Sequence, residues 1–168
     1  MKLSKKALLK ATEFLLGIAS IYLILSISIG FLVPIQAIEL MHASLANGIL
    51  GALGSQGKIV EDENILMVFP GLTAEINELC TGLIEFLLLA SMMLASWEIK
   101  LNKRLKGILL ALIVWLAVNP LRIALTIMQL FNASIEFAVL THDVLFRVSL
   151  FIVIVLTYFF WLEWARKD

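Results

Sequence analysis

From Phe14 to Val33 the chain reads FLLGIASIYLILSISIGFLV, an apolar run with no charge inside it. Twenty such residues in a helix match the ~30 Å hydrocarbon core of a bilayer. Three further runs of similar length follow. The second covers about 79–97 and contains one carboxylate, Glu85. The third covers 107–131 and is interrupted by NPLR at Asn119 to Arg122. The fourth covers about 144–164, with Arg147 near its start and Trp161 and Trp164 at its end, where tryptophans suit an interfacial belt. Between the first two runs the pattern changes. Apolar residues at 38, 41, 45, 49 and 53 form a helical stripe, with Glu39, His42 or Ala43, and Asn47 opposite. This predicts an amphipathic helix lying at the outer interface. After it, GKIVEDENILMVFPG shows two β-prone runs around Asp62-Glu63-Asn64, a predicted hairpin.

The expected fold is therefore an all-α polytopic membrane protein, one domain over residues 1–168. It has about four transmembrane helices, one external amphipathic helix and a small external β-hairpin. Composition agrees: 61% of residues are hydrophobic and 15% charged, against about 45–50% and roughly 25% in soluble domains. A formal net charge of zero leaves no basic surface for nucleic acid. The first run is too long to be a cleaved signal peptide and no small-residue cleavage pattern ends it, so it reads as a retained span.

Basic residues set the orientation. Lys2, Lys5, Lys6 and Lys10 precede the first span, EIKLNKRLKG joins the second to the third, and ARKD ends the chain. With four spans all three clusters fall on one side, which the positive-inside rule makes cytoplasmic, together with both termini. Segments 34–78 and 132–143 are then external. Counting 36–53 as a fifth span would put KLNKRLK outside. The NAS triplet at Asn132 matches a glycosylation sequon on the external side, a match that arises often by chance.

Helical rise brings the polar residues of the spans to one depth. Counted from Glu98, Cys80 lies about 27 Å and Glu85 about 20 Å up the second span. Arg122 lies roughly 22 Å above Gly107; Arg147 lies about 24 Å and His142 about 31 Å above Glu163. All five belong to the outer third or outer interface. Each residue carries a bland reading beside a chemical one. Glu85 and Arg147 share a depth and suit an intramembrane ion pair. Arg122 either snorkels to the headgroups or lines a polar cavity with Asn119 at the break expected from Pro120. His142 is a solvated interfacial histidine or a proton carrier beside Asp143. His42 has no identifiable partner, and two distant histidines with one cysteine make no metal site. Cys80, the only cysteine, is a small buried hydrophobe or a nucleophile in the first turn of a helix capped by Asn77, with Thr81–Gly82 allowing close approach.

Taken in order, ELCTGLIEF (Cys80), VNPLRIAL (Asn119, Arg122) and LTHDVLFRVSLF (His142, Arg147) resemble the exosortase/archaeosortase family over roughly residues 45–160. FPGLTAEINEL, ahead of the cysteine, looks like the family's lead-in. The resemblance implies a membrane-embedded cysteine protease and transpeptidase at the extracellular face of the cell membrane, here a compact archaeal-type member. Its expected partners are exported proteins whose C-terminus carries a short motif, a transmembrane helix and a basic tail, with a membrane lipid as acceptor. No cofactor and no metal are expected. By motif matching, Cys80 is the nucleophile and Arg122 the electrophilic or thiolate-stabilising residue. His142 completes the site, with Arg147 as the alternative third residue. Asn119, Thr81, Gly82, Asp143 and Glu85 support it. Two other readings of the residues stand beside this one. A non-catalytic membrane subunit, such as a transporter component, would use Arg122, Glu85 and Arg147 to bind an anionic or amphipathic ligand. A membrane scaffold would dock a partner on the hairpin.

Overall fold

The computed structural model describes residues 5–132 and 146–167. Helix α1 (Lys5–Leu32) contains the first predicted span, and none of its residues is buried. Pro34 ends it. The residue before a proline is steered out of helical geometry, and the chain turns at Val33–Pro34 to begin α2 (Ile35–Ala52). Three strands follow: β1 (Lys58–Glu61), β2 (Ile65–Phe69) and β3 (Leu72–Ile76). Next come α3 (Glu78–Thr81), α4 (Leu83–Leu94), α5 (Leu101–Asn132) and α6 (Phe146–Arg166). Among the described residues, α1, α5 and α6 are long and apolar enough to cross a membrane.

The second predicted span differs from its expectation. It is not one helix over 79–97 but two, α3 and α4, separated at Gly82. The 12 residues of α4 cover about 18 Å, short of a ~30 Å hydrocarbon core. Arg104 holds the far end of α4. Its Nη1 donates to the Leu94 carbonyl at 3.1 Å, its Nη2 to that of Trp97 at 3.0 Å and its Nε to that of Ile99 at 2.7 Å. These carbonyls have no helical partners of their own. Lys10 binds Glu98 at 2.8 Å and ties α1 to the same turn.

Helix α5 is continuous through Pro120, so NPLR does not interrupt it as secondary structure. Proline removes one amide and crowds one carbonyl, and Pro120 itself is fully buried. Trp161 also departs from its expected place in an interfacial belt. It is 2% exposed, packs onto α5 at Gly107 where any β-carbon would collide with its indole, and donates from Nε1 to the Lys103 carbonyl at 3.0 Å. Trp164 does remain exposed.

The expected amphipathic helix is present as α2. Of its apolar stripe Met41, Leu45 and Leu53 face outward and Ile38 is buried, while Glu39, His42 and Asn47 are buried with Ala43, Ala46 and Leu50. Against apolar surroundings the polar face is the one that must find partners inside the protein. Asn47 shows why: its Nδ2 donates to the Gly57 carbonyl and its Oδ1 accepts from the Gly57 amide, both at 2.9 Å. The helix is thereby fixed to the start of β1.

The predicted hairpin gains a third strand. The sheet is antiparallel in the order β1-β2-β3, with Glu61 opposite Ile65 and Phe69 opposite Leu72. Ile65, Met67 and Phe69 alternate inward on the central strand. They join Ala43, Ala46 and Leu50 of α2 and Ile123, Ala124 and Ile127 of α5 in one apolar cluster, against which Cys80 packs. The third strand lies beyond the two β-prone runs of GKIVEDENILMVFPG, and Pro70–Gly71 does not end the sheet. It is instead the two-residue turn between β2 and β3, proline first and a glycine at φ 79° second, as a type II turn requires.

Candidate active site

Thr81 and Gly82 shape the chain around the cysteine. Thr81 Oγ1 donates to the Glu78 carbonyl at 2.7 Å and accepts from the Leu83 amide at 3.3 Å. Gly82 then takes φ 65°, a left-handed conformation that costs other residues roughly 1–2 kcal/mol. The helix stops after a single turn, and the carbonyls of Leu79, Cys80 and Thr81 lose the partners that a longer helix would supply.

Helix α5 supplies them instead. Trp115, Asn119 and Arg122 stand at i, i+4 and i+7, one face of a helix. Trp115 Nε1 donates to the Thr81 carbonyl at 2.7 Å. Asn119 Nδ2 donates to the Cys80 carbonyl at 2.7 Å. Arg122 Nη2 donates to the same oxygen at 2.8 Å and to that of Leu79 at 3.4 Å. Three side chains thus hold three consecutive carbonyls, and the cysteine lies in the middle. Arg122 is 8% exposed, and both Cys80 and Glu85 lie within its electrostatic reach. Burying a guanidinium is costly unless acceptors face it; here the carbonyls of Leu79 and Cys80 do.

This geometry brings together Cys80, Thr81, Gly82, Asn119 and Arg122. Glu85 is half-buried one turn beyond Gly82, lining a crevice of about 30 Å³ with Gly82, Trp115, Asn119 and Leu150. One expected feature is absent. Asn77 occupies the N-cap position with no side-chain bond to the helix, and four-residue α3 has no length over which peptide dipoles could add. The cation within electrostatic reach of Cys80 is Arg122, and α3 is too short to offer a helix N-terminus. His142 and Asp143 lie outside the described residues, and Arg147 falls in the first turn of α6 with its backbone alone described.

Two site neighbours were not linked to the site by sequence. Trp115 was not singled out, though it shares the α5 face of Asn119 and Arg122. His42 is fully buried, its ring 4.6 Å from that of Trp115, and Arg122 lies within its electrostatic reach. Burial, chiefly, holds its pKa below the ordinary imidazole value. Glu39, three residues earlier, is pushed the other way, above the ordinary carboxylate range, by burial and then by the carboxylates of Glu78 and Glu75. The available signal was three polar residues on one face of an otherwise apolar helix.

A family model described as "Transmembrane exosortase" matches residues 3–161. The chain belongs to the transmembrane exosortase family. It is accordingly a membrane protein of a cysteine transpeptidase family. No curated protein and no solved structure matches it.

Proposed function

We propose that this exosortase cleaves the C-terminal sorting signals of exported proteins at the outer membrane face and passes the new C-terminus to a membrane lipid. The observation that carries the reading is the double grip of Asn119 and Arg122 on the Cys80 carbonyl, which fixes the backbone of the family's cysteine beside a buried cation. In the proposed sequence, the substrate's transmembrane tail lies against the spans and its scissile peptide reaches Cys80. The thiolate, facing Arg122, attacks the carbonyl; the S–C bond forms as the C–N bond breaks, and the departing amine takes up a proton. Arg122 is the group placed to meet developing negative charge, the task of preorganised donors in acyl transfer. A hydroxyl or amine of the acceptor then attacks the thioester, and its proton returns to sulfur. His142, or Arg147, is the third member of the site in this reading, with Asp143 beside it. The presence of Arg147 in the last motif supports an archaeal-type subtype.

The test compares C-termini of exported proteins, by mass spectrometry, in cells carrying the wild-type chain or Cys80→Ala. Loss of C-terminal truncation in a small set of proteins, each ending in an apolar helix and a basic tail, supports the reading and names the substrates. Unchanged C-termini with the variant stably inserted overturn it.

A further inference from the structure

A cleft opens past the end of α4 that is remote from Cys80, between the first turns of α1 and the last turns of α6. It holds about 310 Å³, and Lys10, Phe14, Trp97, Glu98, Leu162 and Arg166 are among its lining. A second hollow of about 270 Å³ adjoins it, sharing Glu98, Ile99 and Arg166 and adding Lys100 and Lys103. Small-molecule sites span ~300–1,000 Å³, so the pair has room for a headgroup and the top of an acyl chain. Both α1 and α6 pack on α4. Past Leu94, where α4 ends, the turn over 95–99 walls the cleft between them. Ser96 Oγ and Tyr158 Oη, 2.9 Å apart, join that turn to α6.

Four cations, Lys10, Lys100, Lys103 and Arg166, line the two hollows against two carboxylates, Glu13 and Glu98. Lys10 pairs with Glu98 at 2.8 Å, and Lys103 donates to the Ala165 carbonyl at 3.1 Å. Arg166 borders both hollows, is exposed, and has no hydrogen bond or ion pair among the described residues. A planar guanidinium of this kind matches two oxygens of one phosphate.

The walls indicate what carries the phosphate. Lys10 and Glu13 stand just before the uncharged run that begins at Phe14, and Arg166 stands just after Trp164, where the last apolar run ends. The charged rim therefore lies at the border of the hydrocarbon, while Phe14, Ile99 and Leu162 give the cleft an apolar side. The flanking helices face lipid: no residue of α1 is buried, and Phe159 and Phe160 of α6 are exposed. A soluble anion would use the rim and leave that apolar side uncovered; an amphiphile covers both. Basic pockets between spanning helices suit anionic headgroups, and the surplus of cations here selects net negative charge over a zwitterion. We propose that this cleft binds one anionic phospholipid, with its phosphate on Arg166 and an acyl chain between α1 and α6. The site lies apart from Cys80 and stands or falls independently of the transpeptidase reading.

The full-length protein is released for native mass spectrometry from nanodiscs of equal phosphatidylglycerol and phosphatidylcholine, as wild type, Arg166→Gln and Lys6→Gln. Lys6 is an exposed cation of α1 that lines neither hollow, so it reports the general attraction of an anionic surface for basic residues. Wild type and Lys6→Gln should retain one phosphatidylglycerol in preference to phosphatidylcholine, with Arg166→Gln losing that preference about tenfold, as for a lost charge-assisted contact. No preference in wild type, or equal losses in the two variants, overturns the proposal. Displacement of the retained lipid by glycerol 3-phosphate would reveal a site for soluble phosphates and overturn it as well. If wild type instead retains an oligolysine peptide and no phosphatidylglycerol, Glu13 and Glu98 are the binding groups and the proposal falls.

Discussion

The amide of Asn119 serves Cys80 and Gly82 in opposite ways: Nδ2 donates to the Cys80 carbonyl at 2.7 Å, while Oδ1 would stand only 2.8 Å from a β-carbon on Gly82. Gly82→Ala therefore incurs both left-handed strain and a collision. The first costs roughly 1–2 kcal/mol, and overpacking costs about 1–3 kcal/mol more. In the double variant with Asn119→Ala the collision is relieved and the strain is not. The two losses of stability should be less than additive, by about 1 kcal/mol or more, in thermal unfolding of the detergent-solubilised protein. Strict additivity would mean that the amide does not occupy that space.

Arg122 combines a buried charge with a single nitrogen, Nη2, that reaches two carbonyls. Lysine preserves the charge and loses the planar guanidinium that carries Nη2 to both carbonyls; glutamine loses the charge. If the guanidinium stabilises the Cys80 thiolate electrostatically, Arg122→Lys should keep more of the iodoacetamide reactivity at pH 7 than Arg122→Gln does. A charge-assisted contact of about 1.5–3 kcal/mol corresponds to roughly a tenfold to hundredfold loss in the glutamine variant. Equal losses in the two variants would assign Arg122 to backbone positioning alone.

The spans of α1, α5 and α6 and the first hairpin of the sheet were legible because they rest on local signals. An uncharged run from Phe14 to Val33 admits few structures, and β-prone runs broken by Asp62-Glu63-Asn64 predict a turn wherever they occur. The break at Gly82 was invisible for a tertiary reason. CTGLIEF reads as a helix start by propensity, and only the three donors on α5 make it favourable to leave the Leu79, Cys80 and Thr81 carbonyls outside a helix. For α2, periodicity showed two faces without saying which one meets the protein. Water as solvent would bury Met41 and Leu45; apolar surroundings bury Glu39, His42 and Asn47 instead. The motif order brought Cys80, Asn119 and Arg122 to attention, and the two groups it missed, Trp115 and His42, lie outside those motifs.

Asn47 carries the attachment of α2 to the sheet through both of its polar atoms. Asn47→Leu removes a donor and an acceptor together and leaves the Gly57 amide and carbonyl half-buried without them. At roughly 1–3 kcal/mol for each group so stranded, the sheet should open locally before the helices separate. Hydrogen exchange should rise across residues 57–69 and stay unchanged in α4 and in the Leu101 end of α5. A uniform rise would show that the sheet and the helical bundle unfold together.

His42 should make stability depend on pH in a predictable direction. Its folded-state pKa is lowered by burial, with Arg122 adding to the effect, so the folded protein binds fewer protons than the unfolded chain. Stability is then fully present above the ordinary imidazole pKa of about 6.5 and falls as the pH drops below it, by at most about 1.36 kcal/mol per unit. The fall ends at the lowered pKa of the folded state. Glu39, raised by burial and by Glu78 and Glu75, acts oppositely and nearer the carboxylate range, so the comparison must be made between proteins at each pH. Wild type should lose thermal stability from pH 7.5 to 5.5 relative to His42→Asn, which cannot charge at that position. Parallel curves would mean that protonated His42 is accommodated beside Arg122, by rearrangement of α2 or by solvent reaching Nε2, and the imidazole would no longer be a base held neutral by its surroundings.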